Sequence, residues 1–422
     1  MAGSWDLKPN YDTAPIGTVI QSPINLETLT KGKWIALDGR DCNRSDYPEL
    51  SPYFPAGVFT STVRTLNTTP YAATICADSV NFLANGDNSG IPFQASPDGI
   101  TWTPASGWAP GDVPCCLAKI GSRFVITGIG TDLGIPWVIN TGVSAATLAA
   151  KANWTQCTGG VAFTGALSPA VAYSPSLGRT VFCKGSSLAT ASALFYMNDS
   201  GGGITITACS GGSTTTRQGV CWTGQKFIVL TTVSVGNNII QVSSDGATFS
   251  DQYLPGVFAS SYSIASNGNG TVVIAVVERV EGSVAYFDGF LVSKDHGATW
   301  RRVPYASAGT FYGSILSVQY VNGKFIGLTQ PTFGQGSLIS NDGLNWLFEP
   351  TGSRGIGNIH AAAVEYKEGT YAFITSATTT AYTSTEDMSK FRLSAVVPET
   401  GAATLAFSAG LAMLPTYMKA RS

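Results

Sequence analysis

Four short stretches of this 422-residue chain are near-copies of one another: SPDGITW (96–102), SSDGATF (243–249), SKDHGATW (293–300) and SNDGLNW (340–346). The shared positions are Ser96, Asp98, Gly99 and Trp102; Ser243, Asp245, Gly246 and Phe249; Ser293, Asp295, Gly297 and Trp300; and Ser340, Asp342, Gly343 and Trp346. Catalysis needs one site, so four copies point to architecture. The residue types suit a turn. A short Ser or Asp side chain caps backbone N–H groups within its own turn. Gly supplies a positive φ, and the aromatic ring buries a large apolar surface.

The four aspartates are 147, 50 and 47 residues apart, so the long interval has room for further units. Weaker copies fall there and beyond. YMNDSGGGITIT centres on Asp199, STEDMSKF on Glu386 and Asp387, and INTGVSAATLAAKANW reads as an expanded turn that ends on Trp154. Ahead of each turn comes a short strand, a polar turn and a strongly apolar strand. VCWTGQKFIVL (220–230), VQYVNGKFIGL (318–328), VEYKEGTYAFI (364–374) and LAKIGSRFVIT (117–127) are clear cases. TICADSVNFLA (74–84), VAYSPSLGRTVFC (171–183) and IASNGNGTVVIAV (264–276) are looser ones, and LAFSAGLAMLP (405–415) is an eighth pair with no turn after it. Gly and Asn between β-branched or aromatic flanks are hairpin signals. Each unit therefore reads as four antiparallel strands, the length of one β-propeller blade. The expected fold is an all-β propeller of eight four-stranded blades, with seven as the alternative. In the eight-bladed reading GVFTSTVRTL (57–66) supplies an outer strand to the pair 405–415, because open sheet edges invite aggregation.

SKDHGATW resembles the Asp box, or BNR repeat, of sialidase-like propellers; the other three copies lack one residue of its spacing. The resemblance implies a turn between the two outer strands of a blade, with no catalytic role for its aspartates. Residues 15–56 are different in kind. PIGTVI, GKWIALDGR and NRSDYPEL resemble, in order and spacing, the small α+β collar module of phage tail fibres, although Lys31-Gly32-Lys33-Trp34 departs from the family's Pro-Ala-Gly-Trp. Here Ser45 or Asp46 is the expected helix N-cap with Pro48 in the first turn, and Trp34, Ile35 and Leu37 are core candidates. The expected division is an arm over 1–14, the collar-like module over 15–56 and the propeller over 57–422.

Charge narrows the partners. Charged residues are 12% of the chain against about 25% in typical soluble domains, and the net charge is −2 with no basic run. Nucleic-acid binding needs clustered Lys and Arg, so neither that nor a polybasic membrane contact is expected. No stretch approaches a membrane span, and the start has no signal-peptide layout. The eight Cys form no CxxC and read as buried free thiols in a chain long enough to build a core without staples. Five N-x-S/T triplets, at Asn43, Asn67, Asn153, Asn198 and Asn269, read as chance matches.

Chemistry is sparse. The sialidases that the turns resemble carry an arginine cluster, a Tyr–Glu pair and Arg-Ile-Pro, and none of the twelve Arg here stands in Arg-Ile-Pro. His296 sits inside a turn and His360 beside an apolar strand; neither suggests a triad or metal-ligand spacing. The GGG at 201–203 lacks the context of a phosphate loop. Glu278, Glu281 and Asp288 are the carboxylates left for a glycosidase pair. No cofactor or metal and no enzymatic activity are expected. The expected role is a phage tail-fibre or baseplate protein of the virion, assembled in the host cytoplasm with other tail proteins, trimeric by the collar resemblance. Its propeller would contact the host surface, a glycan or a protein; DLGIPWVIN (132–140) and SAGTFYGS (307–314) are loop-like stretches carrying aromatics, but burial is the commoner fate of any one ring and no receptor-binding residue is assigned. The alternatives are a purely architectural tail component and a surface depolymerase.

Overall fold

The computed structural model describes residues 40–50, 57–70, 73–159, 170–183, 194–198, 204–212, 217–231, 239–255, 260–280, 284–304, 315–329, 336–350, 362–375 and 378–392, with short strands at 19–21, 34–36 and 416–419. Seven sheets follow one another along the chain. Blade 1 comprises Ile75–Ala77, Phe82–Asn85, Phe93–Ser96 and Thr103–Pro104; blade 2 comprises Val113–Ile120, Arg123–Ile129, Trp137–Asn140 and Thr155–Gln156. Blade 3 is Ala170–Ser174, Arg179–Cys183, Leu194–Asn198 and Ile206–Ala208. Blade 4 is Arg217–Trp222, Phe227–Thr231, Ile239–Ser243 and Thr248–Tyr253, edged by the short parallel strand Ser210–Gly211. Blade 5 is Ser260–Ser266, Val272–Val280, Val284–Ser293 and Arg301–Pro304; blade 6 is Ile315–Val321, Lys324–Thr329, Gly336–Ser340 and Leu347–Pro350. Blade 7 takes Ala362–Lys367, Thr370–Thr375 and Thr380–Asp387 from the end of the chain and Val58–Thr65 from its beginning.

The first strand of each blade contacts the first strand of the next, and that of blade 7 returns to that of blade 1, closing a ring. The count is thus seven, not eight. Val58–Thr65 is an outer strand, but its partner is Thr380–Asp387 over eight register pairs. Residues 405–415, Asp199 and His360 lie outside the described residues.

A propeller has no single core, and the sequence shows why its middle strands are apolar without alternation. Side chains alternate faces along a strand, yet both faces of a blade pack on a neighbour. Phe227 and Val229 pack with blade 3, while Ile228 and Leu230 pack with blade 5. Likewise Phe124 and Ile126 meet blade 1, and Val125 meets blade 3. One apolar cluster fills each of the seven gaps between blades.

The four repeated turns join the third and fourth strands of blades 1, 4, 5 and 6. Their serine Oγ accepts from the glycine N–H at 2.7–2.8 Å and donates to the aspartate Oδ1 at 2.7–3.0 Å. That Oδ1 in turn accepts backbone N–H groups, from Ile100 and Thr101 in blade 1 and Leu344 and Asn345 in blade 6. The glycines stand at φ of 74°, 72°, 84° and 75°, and a Cβ on any of them would press on the preceding blade: Thr383, Arg179, Ile228 and Val273. The aromatic rings enter the same gaps. Trp102 packs against Ala372 and Ile374 of blade 7, and Trp346 stacks on Phe290 of blade 5 at 3.8 Å. Each turn also hands a carbonyl back to that neighbour. Pro97 O accepts from Lys367, Asp245 O from Arg179, Gly297 O from Gln252 and Asp342 O from Lys294. The extra residue of the longest copy, His296, takes φ 58° and sets its Nδ1 2.9 Å from Thr223 O of blade 4.

These carboxylates make the turns acid-sensitive. Burial pushes the Asp295 carboxyl up, but hydrogen bonds from Thr299, Ser293 and Ala298 together outweigh it and hold it at about 2. A depressed folded value stabilises the fold above the unfolded value and is lost as pH falls through the folded one. Asp295→Asn is therefore expected to flatten the melting-temperature profile between about pH 4 and about pH 2. Parallel profiles for variant and wild type would refute it.

Blade 7 lacks such a turn. Asp387 accepts from Ser389, and the chain leaves along Lys390–Arg392 to pair with Asp41–Asn43. In place of the missing turn stands a buried ion pair. Glu386 Oε2 takes Lys324 Nζ of blade 6 at 2.9 Å and Tyr371 OH at 2.9 Å, while Oε1 takes Gly57 N at 2.6 Å, just ahead of the closing strand.

The N-terminal segment departs from expectation at two points. Ser45, Asp46 and Pro48 lie in successive turns and open no helix through Leu50: Asp46 N–H reaches Asn43 O, Tyr47 N–H reaches Arg44 O and Leu50 N–H reaches Tyr47 O. Each of these bonds spans three residues, so the segment makes successive turns and not the four-residue ladder of an α-helix. The strand Thr416–Lys419, expected within the propeller, lies between Val19–Gln21 and Trp34–Ala36. Leu37 and the side chains of Trp34 and Ile35 lie outside the described residues.

Candidate functional site

One turn between third and fourth strands is unlike the others. In blade 2 the chain leaves Asn140, caps a short helix at Ala145–Ala149 with Ser144 (Thr147 N–H to Oγ 3.2 Å), passes a 3-10 turn at Lys151–Asn153 and re-enters the sheet at Thr155. The end of this expanded turn is pinned to blade 1, where Ser106 N–H donates to Ala149 O and Lys151 N–H donates to Ser106 O. An open cleft of about 570 Å³ lies along that seam, lined by Ser106, Gly107, Trp137, Lys151 and Trp154 among others.

Trp137 and Trp154 line it, with Trp108 and Phe93 packed behind them. Trp108 meets Trp137 edge-on at 5.3 Å and Trp154 at 6.1 Å, and Phe93 backs Trp154 at 5.1 Å. Trp154 is buried, whereas Trp137 is half-exposed on the cleft wall. The Trp137 indole N–H donates to Asp132 O at 2.8 Å and that of Trp154 to Leu148 O at 2.7 Å, which fixes both rings. Lys151 Nζ lies 5.1 Å from the Trp137 ring centre and 5.5 Å from that of Trp108, within cation–π range. It also pairs with Asp132 Oδ2 at 2.5 Å.

A second carboxylate holds this arrangement from below. Asp112 is buried, and its carboxyl accepts the Asp132 N–H at 3.1 Å. Burial pushes Asp112 up. Burial also acts on Asp132, but Lys151 and the Ala109 N–H together outweigh it and keep that carboxyl below the usual range. Gly130, at φ 127°, lets the loop pass over Asp112, whose Oδ1 a Cβ there would meet at 2.1 Å. The cleft thus presents a rigid aromatic face beside one donor and one acceptor whose charges balance. That is recognition chemistry for a ring with one apolar face and hydroxyls at its edge.

The carboxylates of the repeated turns stay apart, one per blade, and build no common pocket. Among the described residues no group of three His, Cys, Asp or Glu is placed to hold a metal ion. All eight cysteines are free, and burial pushes Cys115, Cys116, Cys157, Cys183 and Cys209 up to about 12. The backbones of Glu278 and Asp288 lie on adjacent strands of blade 5, while their side chains, Glu281 and the stretch 307–314 fall outside the described residues. On the innermost strand of blade 7, burial pushes the half-buried Glu365 up to about 7. Sequence reading picked out DLGIPWVIN and the expanded turn ending on Trp154 but not their union. Trp108, Asp132 and Lys151 meet only because the turn folds back on blade 1.

No protein-family model matches the chain, and no curated protein matches it. Solved structures do share its fold. YCF48 bound to a D1 peptide superimposes with a TM-score of 0.55 at 13% identity, covering 78% of this chain and 96% of that one. Virginiamycin B lyase from Staphylococcus aureus gives 0.54 at 12%, over 78% of this chain and all (100%) of the other. A streptogramin B lyase gives 0.51 at 11%, over 78% and 98%. Two of these three are enzymes by name; at such identities the likeness shows the propeller fold alone.

Proposed function

We propose that this chain is a phage virion adhesin, a tail-fibre or baseplate protein whose propeller holds a host-surface glycan in the cleft between blades 1 and 2. The observation that carries the glycan reading is the half-exposed Trp137 beside the Lys151–Asp132 pair, at the one turn where the repeat is expanded. The resemblance of residues 15–56 to a tail collar module, and of the repeated turns to the Asp box, supports the virion setting. A further support is that Thr416–Lys419 pairs with Val19–Gln21 and Trp34–Ala36 in one sheet, which ties the collar-like segment to a strand that follows the propeller.

The cleft reads as a binding site and not a catalytic one. Asp132 is committed to Lys151 and the Ala109 N–H, and Asp112 to the backbone of the loop. Trp137→Ala is expected to weaken glycan or host-cell binding by about thirtyfold, the scale of a central aromatic anchor, with the melting profile checked in parallel. Wild-type protein that binds neither cells nor glycans would favour an architectural tail component. Release of reducing ends from host polysaccharide would favour a depolymerase.

A further inference from the structure

A second groove flanks blade 2 on its other side. It measures about 400 Å³ and lies toward blade 3, with Arg123, Asn140, Thr147, Asn153, Thr155 and Ile204 in its lining. The same two segments wall both grooves. From the third strand, Trp137 faces the first and Asn140 the second; from the expanded turn, Lys151 and Trp154 face the first and Asn153 and Thr155 the second. The first groove is aromatic; the second sets the amides and hydroxyls of Asn140, Thr147, Asn153 and Thr155 beside Arg123 and an apolar floor that includes Val138 and Val143. Asn153 Nδ2 donates to Thr147 O at 2.8 Å, so this amide is held in place before any ligand arrives. Outside them the blade ends in a two-residue strand, Thr155–Gln156, exposed at both positions. Only the thickness of one sheet, about 10 Å between packed layers, separates the two.

We infer that a single uncharged glycan chain occupies both grooves, crossing the outer edge of blade 2. One ring stacks on Trp137, and a later ring hydrogen-bonds Asn140 and Asn153. The inference rests on the glycan-binding reading and adds a ligand class: an oligomer, not a single sugar, and a neutral one. Neutrality follows from the first groove, where Lys151 and Asp132 cancel and leave a donor and an acceptor for hydroxyls, while Arg123 in the second already has a partner within the protein. Two linked contacts then raise affinity through effective concentration.

The test begins with a printed array of neutral and acidic oligosaccharides, probed with the full chain, followed by calorimetric titration of graded-length fragments of the best-binding glycan. The expected ligand is neutral, with at least a tenfold gain from monosaccharide to the longest fragment and little change between roughly 0.05 and 0.5 M salt. Trp137→Ala weakens every length. Asn140→Ala and Asn153→Ala, at exposed positions where substitutions rarely disturb folding, weaken the long fragments about fivefold and leave the monosaccharide unchanged. Length-independent affinity, Asn variants that bind long fragments as tightly as wild type, or an acidic best ligand overturns the inference while leaving the adhesin reading intact. Failure to bind any glycan on the array overturns the adhesin reading itself.

Discussion

Glu386→Ala is expected to lower the unfolding free energy by about 3–5 kcal/mol, the cost of leaving a buried charge without its partner. The side chains of Glu386 and Lys324 are only 5% and 9% exposed, so water cannot replace what the substitution removes. The loss extends past the pair. Tyr371 OH and Gly57 N–H lose their acceptor as well, and Tyr371 also holds Asn322 Nδ2 at 2.8 Å. The damage falls where blade 6 meets blade 7 and where the closing strand begins. A double variant, Glu386→Leu with Lys324→Met, is expected to recover much of the stability, because apolar residues of similar volume often match a buried pair. Urea unfolding of the four proteins checks both statements. A single variant as stable as wild type would show that water or another group solvates Lys324.

Trp102→Ala is expected to cost about 3–5 kcal/mol as well, for a different reason: a large ring leaves a cavity that its neighbours cannot fill. Trp102 is buried between blade 1 and blade 7, among Phe82, Ala372 and Ile374. Conservative replacement separates two of the three repeated turns that carry Trp. The Trp102 indole N–H is buried and has no hydrogen-bond partner, so Trp102→Phe removes no bond and is expected to stay below about 1.5 kcal/mol. The Trp346 N–H donates to Gly343 O at 2.8 Å, so Trp346→Phe leaves that carbonyl short and adds about 1 kcal/mol. Chemical denaturation that ranks the two Phe variants in the reverse order would refute this account.

Seven hairpins and the four repeated turns are legible in the sequence because their signals are local. Polar turns such as Asn322-Gly323 and Gly121-Ser122 interrupt apolar runs, and the serine and aspartate side chains of each of the four repeated turns bond within their own turn. Blade count is not local. It depends on Val58–Thr65 finding a partner more than 300 residues away, and nothing within VFTSTVRT names Thr380–Asp387 rather than a later pair. The turns at Asn43–Leu50 were misread as a helix start because Ser-Asp-Tyr-Pro fits both; the backbone bonds of Asp46 and Tyr47 decide it. For the cleft, the loop-like stretch holding Trp137 and the expanded turn ending on Trp154 are visible in the sequence, but nothing there marks either ring as part of a site. The place of Lys151 is not visible at all, since it depends on the Ser106–Ala150 bridge between two blades.

The ring closure has a consequence for how the chain is born. Val58–Thr65 leaves the ribosome long before Thr380–Asp387 exists. At about 5–20 residues per second the delay is roughly 15–60 s. Throughout it, the nascent strand is an edge with no partner, a hazard in a crowded cytosol. Thr60 and Thr62 stand exposed on one face and Thr65 on the other, beside the exposed Val63, so hydroxyls on both faces favour water over a stray sheet edge until translation delivers the strand's mate.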